Sequence, residues 1–294
     1  MAECFFCFSD SKLTRAHLFQ RRFRDAINAH PGKQVYLSSA SVSHRGINRS
    51  LAYPGDMRQL HVTALCRDCN SNWMQSIEIA AAPTFAEVVQ GDRVPPPVAM
   101  LTLAHWAVVI SALSSELYPA LQIPKNQRRE IRESPGLPNA YSTFFIWTED
   151  YLRSSQLDLY RAVLSASRSQ SDVHWSNLLH AGYIVIIAAT PDISGRIARV
   201  LAEADIHSAL GFIGPTLVYV PDGWSSAMTA GPRPTHQTVH DLGPIILGGN
   251  RSFTSAPNGQ DMLDLSAGLQ PVETEMSFDF SGHLFDYRQL KGSS

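Results

Sequence analysis

All four cysteines of this 294-residue chain stand in CxxC pairs, Cys4 with Cys7 in "ECFFCF" and Cys66 with Cys69 in "LCRDCN". Two such turns can present four thiolates at the corners of a tetrahedron. Soft sulfur donors in that geometry select Zn²⁺, and four filled positions leave none for a substrate. The site so formed is structural and pins the start of the chain to the element beginning near Cys69. A redox CxxC and unliganded core cysteines are the alternatives. Equal spacing in both pairs, with no cysteine left over, favours zinc. In small zinc peptides such a site is worth roughly 10–16 kcal/mol of apparent binding energy.

Three polar residues lie close to these pairs: His17 in "LTRAH", His61 at the head of "HVTALC", and Asn70 directly after Cys69. Each has an ordinary reading taken singly. His17 would be a surface histidine, and His61 an outward side chain on an alternating strand. Asn70 would cap the helix that follows. Trp73 and Met74 read as core residues packing that helix.

Charge follows the cysteines. Met1 to Trp73 carries ten Lys and Arg against five Asp and Glu, or +5, and the remainder carries fourteen against twenty-one, or −7, which sum to the net −2. The basic residues cluster at "FQRRFR", with Arg21, Arg22 and Arg24, and recur at Arg67. Such a patch suits a polyanion, its alternative being a solvated face. The opening "MAECFFCFSDSKLTRAH" lacks a basic start followed by a long apolar run, so we expect a cytoplasmic protein. Thiols there stay reduced, and paired CxxC elements favour metal.

The elements that must position these residues follow from periodicity. Residues 33–44 and 58–65 have strand character, with "YPGD" as a turn before the second. After Cys69 the apolar residues Trp73, Ile77, Ala80, Ala81 and Phe85 recur at helical steps. Pro95 to Pro97 ends that helix and introduces an apolar one at 98–117, whose most apolar part, Val98 to Leu113, carries His105, is short for a membrane span, and reads as buried. Further strands are expected at 141–148, 157–166, 182–190 and 212–220, and a helix at 193–205. No structure is assigned beyond 221. Strands grouped before a helix indicate α+β and not a doubly wound sheet. We divide the chain into residues 1–91 and a larger mixed α+β domain, 92–294.

"LCRDCNSNW" resembles the second half of the HNH endonuclease motif, that of the ββα-metal or His-Me finger superfamily. Members with a zinc knuckle follow their first CxxC with a histidine-bearing strand, and a second strand then leads into Leu-Cys-x-x-Cys-Asn at a helix start. "CNSNWMQSIE" further resembles a group of bacterial and phage HNH proteins. The resemblance spans about Cys4 to Glu78, a quarter of the chain. It implies that His17 is the general base toward the attacking water. Asn70 would bind a catalytic Mg²⁺ or Mn²⁺, and the helix after Cys69 would lie along a DNA groove. His61 occupies a middle position that is usually Asn, and Ala16 stands where Asp or Glu is common. His61 would then enter the ion's shell in place of the missing carboxylate, with Asp68 and Glu78 as further candidates, although Glu78 reads rather as a structural partner within the helix region.

The expected function is a metal-dependent HNH endonuclease acting on DNA, of the kind that serves phages, mobile elements or antiphage defence. Its acidic 92–294 domain would sense a ligand, bind a partner or form a homo-oligomer. No membrane association is expected. The rival is a zinc-knuckle module with a decayed centre that binds nucleic acid or protein without cleavage.

Overall fold

Cys4 to Cys7 forms a tight turn whose ends are held by hydrogen bonds from Cys4 N to Ser9 O (3.0 Å) and from Phe8 N to Cys4 O (3.0 Å). The computed structural model describes residues 2–27, 34–43, 46–56, 60–90, 95–117, 123–138, 141–152, 156–165, 173–190, 210–213, 217–221 and 282–286, with Ser194 and Ile197. Flanking the turn, β1 (Ala2–Glu3) and β2 (Asp10–Ser11) pair antiparallel, and β3 (Leu13–His17) follows. After a short helix α1 (Arg21–Ala26) come β4 (Gln34–Ser43) and β5 (Gly46–Asp56). Strand β6 (His61–Cys66) then returns antiparallel to β3 and pairs His17 with His61.

Beyond β6 the backbone makes a π-helical turn, Cys69–Met74, and runs into α2 (Gln75–Gln90). Its buried residues include Ile77, Ala81 and Phe85, as expected, whereas Ala80 is exposed. Pro83 sits on the solvent side, where its missing N–H is least costly. Helix α3 (Pro97–Leu113) opens with a proline in its first turn and continues as a 3₁₀ turn, Ser114–Leu117. The span Val98–Leu117 is long and apolar enough to cross a membrane, but 78% of its apolar window is buried within the fold, as in a core helix.

Helix α4 (Lys125–Glu133) precedes β7 (Ser142–Leu152), β8 (Gln156–Ser165) and β9 (Val173–Ala189). Strands β10 (Leu210–Ile213), β11 (Leu217–Pro221) and β12 (Gly282–Asp286) complete an eight-stranded sheet of order β12-β11-β10-β7-β9-β8-β4-β5. Only β4 and β8 run parallel within it. The chain is therefore mixed α+β. In place of the one strand expected over 212–220, two antiparallel strands, β10 and β11, stand on either side of residues 214–216, which lie outside the described residues. The helix expected at 193–205 lies outside the described residues, save Ser194 and Ile197.

Packing runs across residue 91. Phe23 of α1 stacks on Trp106 of α3 at 4.3 Å and 6°, and Phe85 of α2 closes on both at 5.0 and 5.3 Å. These rings belong to a core that also contains Cys4, Trp147 and Trp175. The hairpin β4–β5 likewise leaves the first 91 residues to join the sheet of later strands.

Helix α2 meets β9 at Gly182, whose φ is +58° and whose missing Cβ would sit 2.3 Å from the Val89 carbonyl oxygen. Gly182→Ala should cost at least about 1–3 kcal/mol, from the left-handed conformation and the clash together. Urea denaturation measures this; an unchanged midpoint would mean that helix and strand do not meet there.

Candidate metal centre and the adjoining histidine hairpin

The β3–β6 ribbon ends with Leu13 paired to Cys66, which carries the second CxxC up to the N-terminal turn. The four Sγ atoms of Cys4, Cys7, Cys66 and Cys69 all lie within 4.8 Å of one another. Cys7 and Cys66 are 3.6 Å apart, far beyond a disulfide bond length of about 2.05 Å. A tetrahedron with Zn–S bonds of about 2.3 Å has edges of about 3.8 Å, so this cluster can hold a zinc ion. The turn's backbone supports it: Cys66 N donates to Cys4 Sγ (3.2 Å) and Cys69 N to Cys66 Sγ (3.4 Å). Phe8, just after the first pair, takes the left-handed φ of 59° that closes the turn.

Electrostatics points the same way. The thiol hydrogen bond from Cys69, with backbone N–H groups of Cys66, Cys7 and Phe6, holds Cys4 down to about 4. Burial pushes the Cys66 thiol up, while its bond to Cys4 and then burial push Cys69 up. Arg132 of α4 donates to the Cys69 sulfur and opposes that rise. One thiolate thus suppresses ionisation of its neighbours until a cation compensates them.

Along the ribbon, Arg15 and His17 are exposed, as is Thr63 opposite Arg15, whereas Ala16 and its partner Val62 are buried. The His17 and His61 rings meet edge to face with centroids 6.3 Å apart. Arg15 Nη2 lies 2.9 Å from His61 Nδ1. A guanidinium only donates, so Nδ1 accepts and the neutral ring carries its proton on Nε2. In this arrangement His61 is a donor through Nε2; to ligate an ion it would have to shed Arg15 from Nδ1, and to ligate through Nε2 also change tautomer.

Asn70 lies inside the π-helical turn, not at its N-cap, and its side chain does not cap the helix. Its Nδ2 donates to Thr14 Oγ1 (3.0 Å) and Arg15 O (3.4 Å), bracing the helix start against β3 where the β3–β6 register shifts. The carbonyl Oδ1 is the atom left for an ion. Asp68 is exposed, bonded to Asn72 (2.8 Å) and 3.8 Å from Arg132. Glu78 is buried within the fold, and neither oxygen has a hydrogen-bond partner among the described residues. It makes no hydrogen bond within the helix region among the described residues.

Of the basic residues, Arg21 and Arg22 project outward on α1, with Arg21 paired to Asp25 at 3.3 Å. Arg24 is half-buried, and Arg67 is exposed beside the second CxxC. Sequence reading passed over Arg15 and Arg132. Arg15 was findable, since the two-residue step to His17 puts both on one strand face. Arg132 carries no local signal. No protein-family model matches the chain, and no curated protein or solved structure matches it.

Two pH experiments follow. Zinc binding near pH 7 should release at least the two protons of Cys66 and Cys69, so affinity should fall about a hundredfold per unit as pH drops. Calorimetry in buffers of different ionisation enthalpy counts those protons; none released would remove the thiols as ligands. Glu78 is held up to about 8 by burial. A folded pKa above the unfolded one gives stability present at low pH and lost as pH rises toward 8. Glu78→Gln should therefore be more stable than wild type at pH 8, by on the order of 4 kcal/mol, with the difference shrinking toward pH 4.5. Parallel denaturation curves for the two proteins would contradict this.

Proposed function

We propose that the protein is a metal-dependent endonuclease of the HNH type, cutting phosphodiester bonds in DNA, with the β3–β6 ribbon and the start of the following helix as its centre. The observation that carries this reading is the cross-strand pairing of His17 with His61, beside an Asn70 tied to the same strand. The cysteine cluster fixes one end of that ribbon and the helix start together.

His17 serves as general base, taking a proton from the attacking water; a positioned imidazole of this kind contributes typically ~10²–10⁴-fold. Arg15 and the Nε2–H of His61 form the donating side of the site, toward the scissile phosphate. Asn70 Oδ1 is the donor atom for the catalytic Mg²⁺ or Mn²⁺, completed by water and phosphate oxygens. When bound, that ion stabilises charge developing on phosphate and leaving oxygen. Arg21, Arg22, Arg24 and Arg67 supply phosphate contacts along the duplex.

A second reading, a module that binds nucleic acid or protein without cutting it, is favoured by one observation. Position 16 carries Ala in place of a carboxylate and is buried against Val62 on the face opposite His17, and Arg15 occupies His61. Plasmid cleavage by the full zinc-loaded chain with Mn²⁺ or Mg²⁺ separates the two. The nuclease reading expects cutting that falls at least ~10²-fold in His17→Ala, with zinc content and DNA affinity unchanged. Equal cutting by variant and wild type overturns it; DNA binding with no cutting by either leaves the second reading.

A further inference from the structure

The π-helical turn Cys69–Met74 that carries Asn70 has no side-chain cap of its own. On one side the Asn70 amide ties it to β3, at Thr14 Oγ1 and Arg15 O. On the other side stands Arg132, near the end of α4. Its guanidinium donates to the Cys69 sulfur, lies 4.8 Å over the Trp73 ring, and brings Nη2 to 3.8 Å from Asp68 Oδ2. Asp68 is itself bonded to Asn72 Nδ2 at 2.8 Å. Arg132 therefore touches the turn both before and after Asn70. A planar guanidinium that donates along its edge and stacks by its face fixes position and tilt together, which an ammonium does not.

The helix behind Arg132 is anchored at two further places. Its neighbour Ile131 is fully buried, and Gln127 Oε1 accepts from Trp175 Nε1 of β9 at 3.0 Å. Arg128, on the same helix, donates to the Phe5 carbonyl at 3.1 Å. So α4 is fastened both to the large sheet and to the N-terminal turn, and Arg132 carries that fixed point to the turn bearing Asn70. An ion ligand works only if it is held within about 0.5 Å of its place. Outer residues that orient a ligand typically account for ~10–100-fold of metal affinity.

We propose that Arg132 is a positioning residue for Asn70: it clamps Asp68, Cys69 and Trp73 so that Asn70 Oδ1 is presented to the catalytic ion, while touching neither ion nor DNA. Through α4 the later half of the chain thereby sets the geometry of a site built from the first. The inference rests on the reading of Asn70 as an ion ligand.

The test is a Mn²⁺ titration of the full zinc-loaded chain, labelled with ¹⁵N at asparagine and followed by NMR, since the paramagnetic ion broadens the signals of groups beside it. The Asn70 side-chain amide is assigned by its disappearance in Asn70→Ala. In wild type that signal should broaden saturably. Arg132→Gln should need about tenfold more Mn²⁺ or more for the same broadening. Its zinc content should equal that of wild type, because all four thiols remain. The signal of Asn177, buried on β9 away from the turn, should not move. Arg132→Lys keeps the charge but not the planar stack, and should stay weakened. The proposal is overturned if Arg132→Gln binds Mn²⁺ like wild type or if Arg132→Lys restores full affinity. Loss of zinc, or a shifted Asn177 signal in Arg132→Gln, also overturns it, by making Arg132 a general support of the fold. Absence of broadening at Asn70 in wild type defeats the ion-ligand reading together with this inference, whereas equal broadening in wild type and variant defeats the inference alone.

Discussion

Four sulfur atoms within 4.8 Å of one another are the constraint on which the first part of this fold rests. Thiols at that separation are poor partners for each other, and four thiolates without a cation would repel strongly. The secondary structure flanking it is slight, although Phe5, Phe6, Leu18 and Leu65 are buried in the core. Strands β1 and β2 are two residues each, and a two-stranded ribbon such as β3–β6 is marginal in water. A divalent ion bound by the cluster would supply what these elements lack, joining the N-terminal turn, the end of β6 and the start of α2 at one point.

The knuckle is also gripped from outside. Arg128 of α4 lies 4.5 Å over the Phe5 ring and donates to the Phe5 carbonyl at 3.1 Å, while Lys125 and Arg129 approach Phe8 at 5.6 and 5.4 Å. Lys125 also pairs with Glu3, and Arg132 reaches Cys69 and Trp73. A helix with one buried residue, Ile131, is thus held mainly by its cations lying on aromatic faces. Of these cations, Arg132 favours the ionised form of Cys69 and Arg128 interacts with the Cys4 charge, so packing and electrostatics act together there.

These arrangements also explain which parts could be read from the sequence. The cysteine cluster was legible because CxxC spacing encodes ligand geometry directly. Helices α2 and α3 were legible because apolar residues repeat with helical period or fill the segment. Helix α1 was not: "RRFRDA" reads as a basic arm, and only the stack of Phe23 on Trp106 reveals a buried face. Helix α4, "KNQRREIRE", shows no apolar period, because its partners are rings distant in sequence, Phe5, Phe8 and Trp73. The strand at 33–44 was recognisable by composition, but nothing local says that β4 pairs with β8. For the candidate site, residue types were legible and protonation was not. The Nε2–H tautomer of His61 follows from Arg15 lying on the same strand face, a consequence of register.

That register depends on a small irregularity. Between Thr14 and Arg15 the β3–β6 pairing shifts by a residue, and such a shift leaves backbone groups without their ladder partners. The residue left out is Ala64 of β6, whose carbonyl accepts from Phe5 N at 2.8 Å; on the other strand Asn70 donates to Thr14 Oγ1 and Arg15 O, while Thr14 Oγ1 itself donates to Leu65 O at 2.9 Å. Removing the irregularity would slip β3 by one residue and turn His17 inward and Ala16 outward. The far end of the ribbon is held separately, by Leu18 N donating to Leu60 O at 3.0 Å and by the buried Leu18 and Phe19. Asn70 therefore acts on the histidine pair through the backbone, whatever its Oδ1 binds. Its amide nitrogen braces β3 beside the register shift on which the facing of His17 and His61 depends.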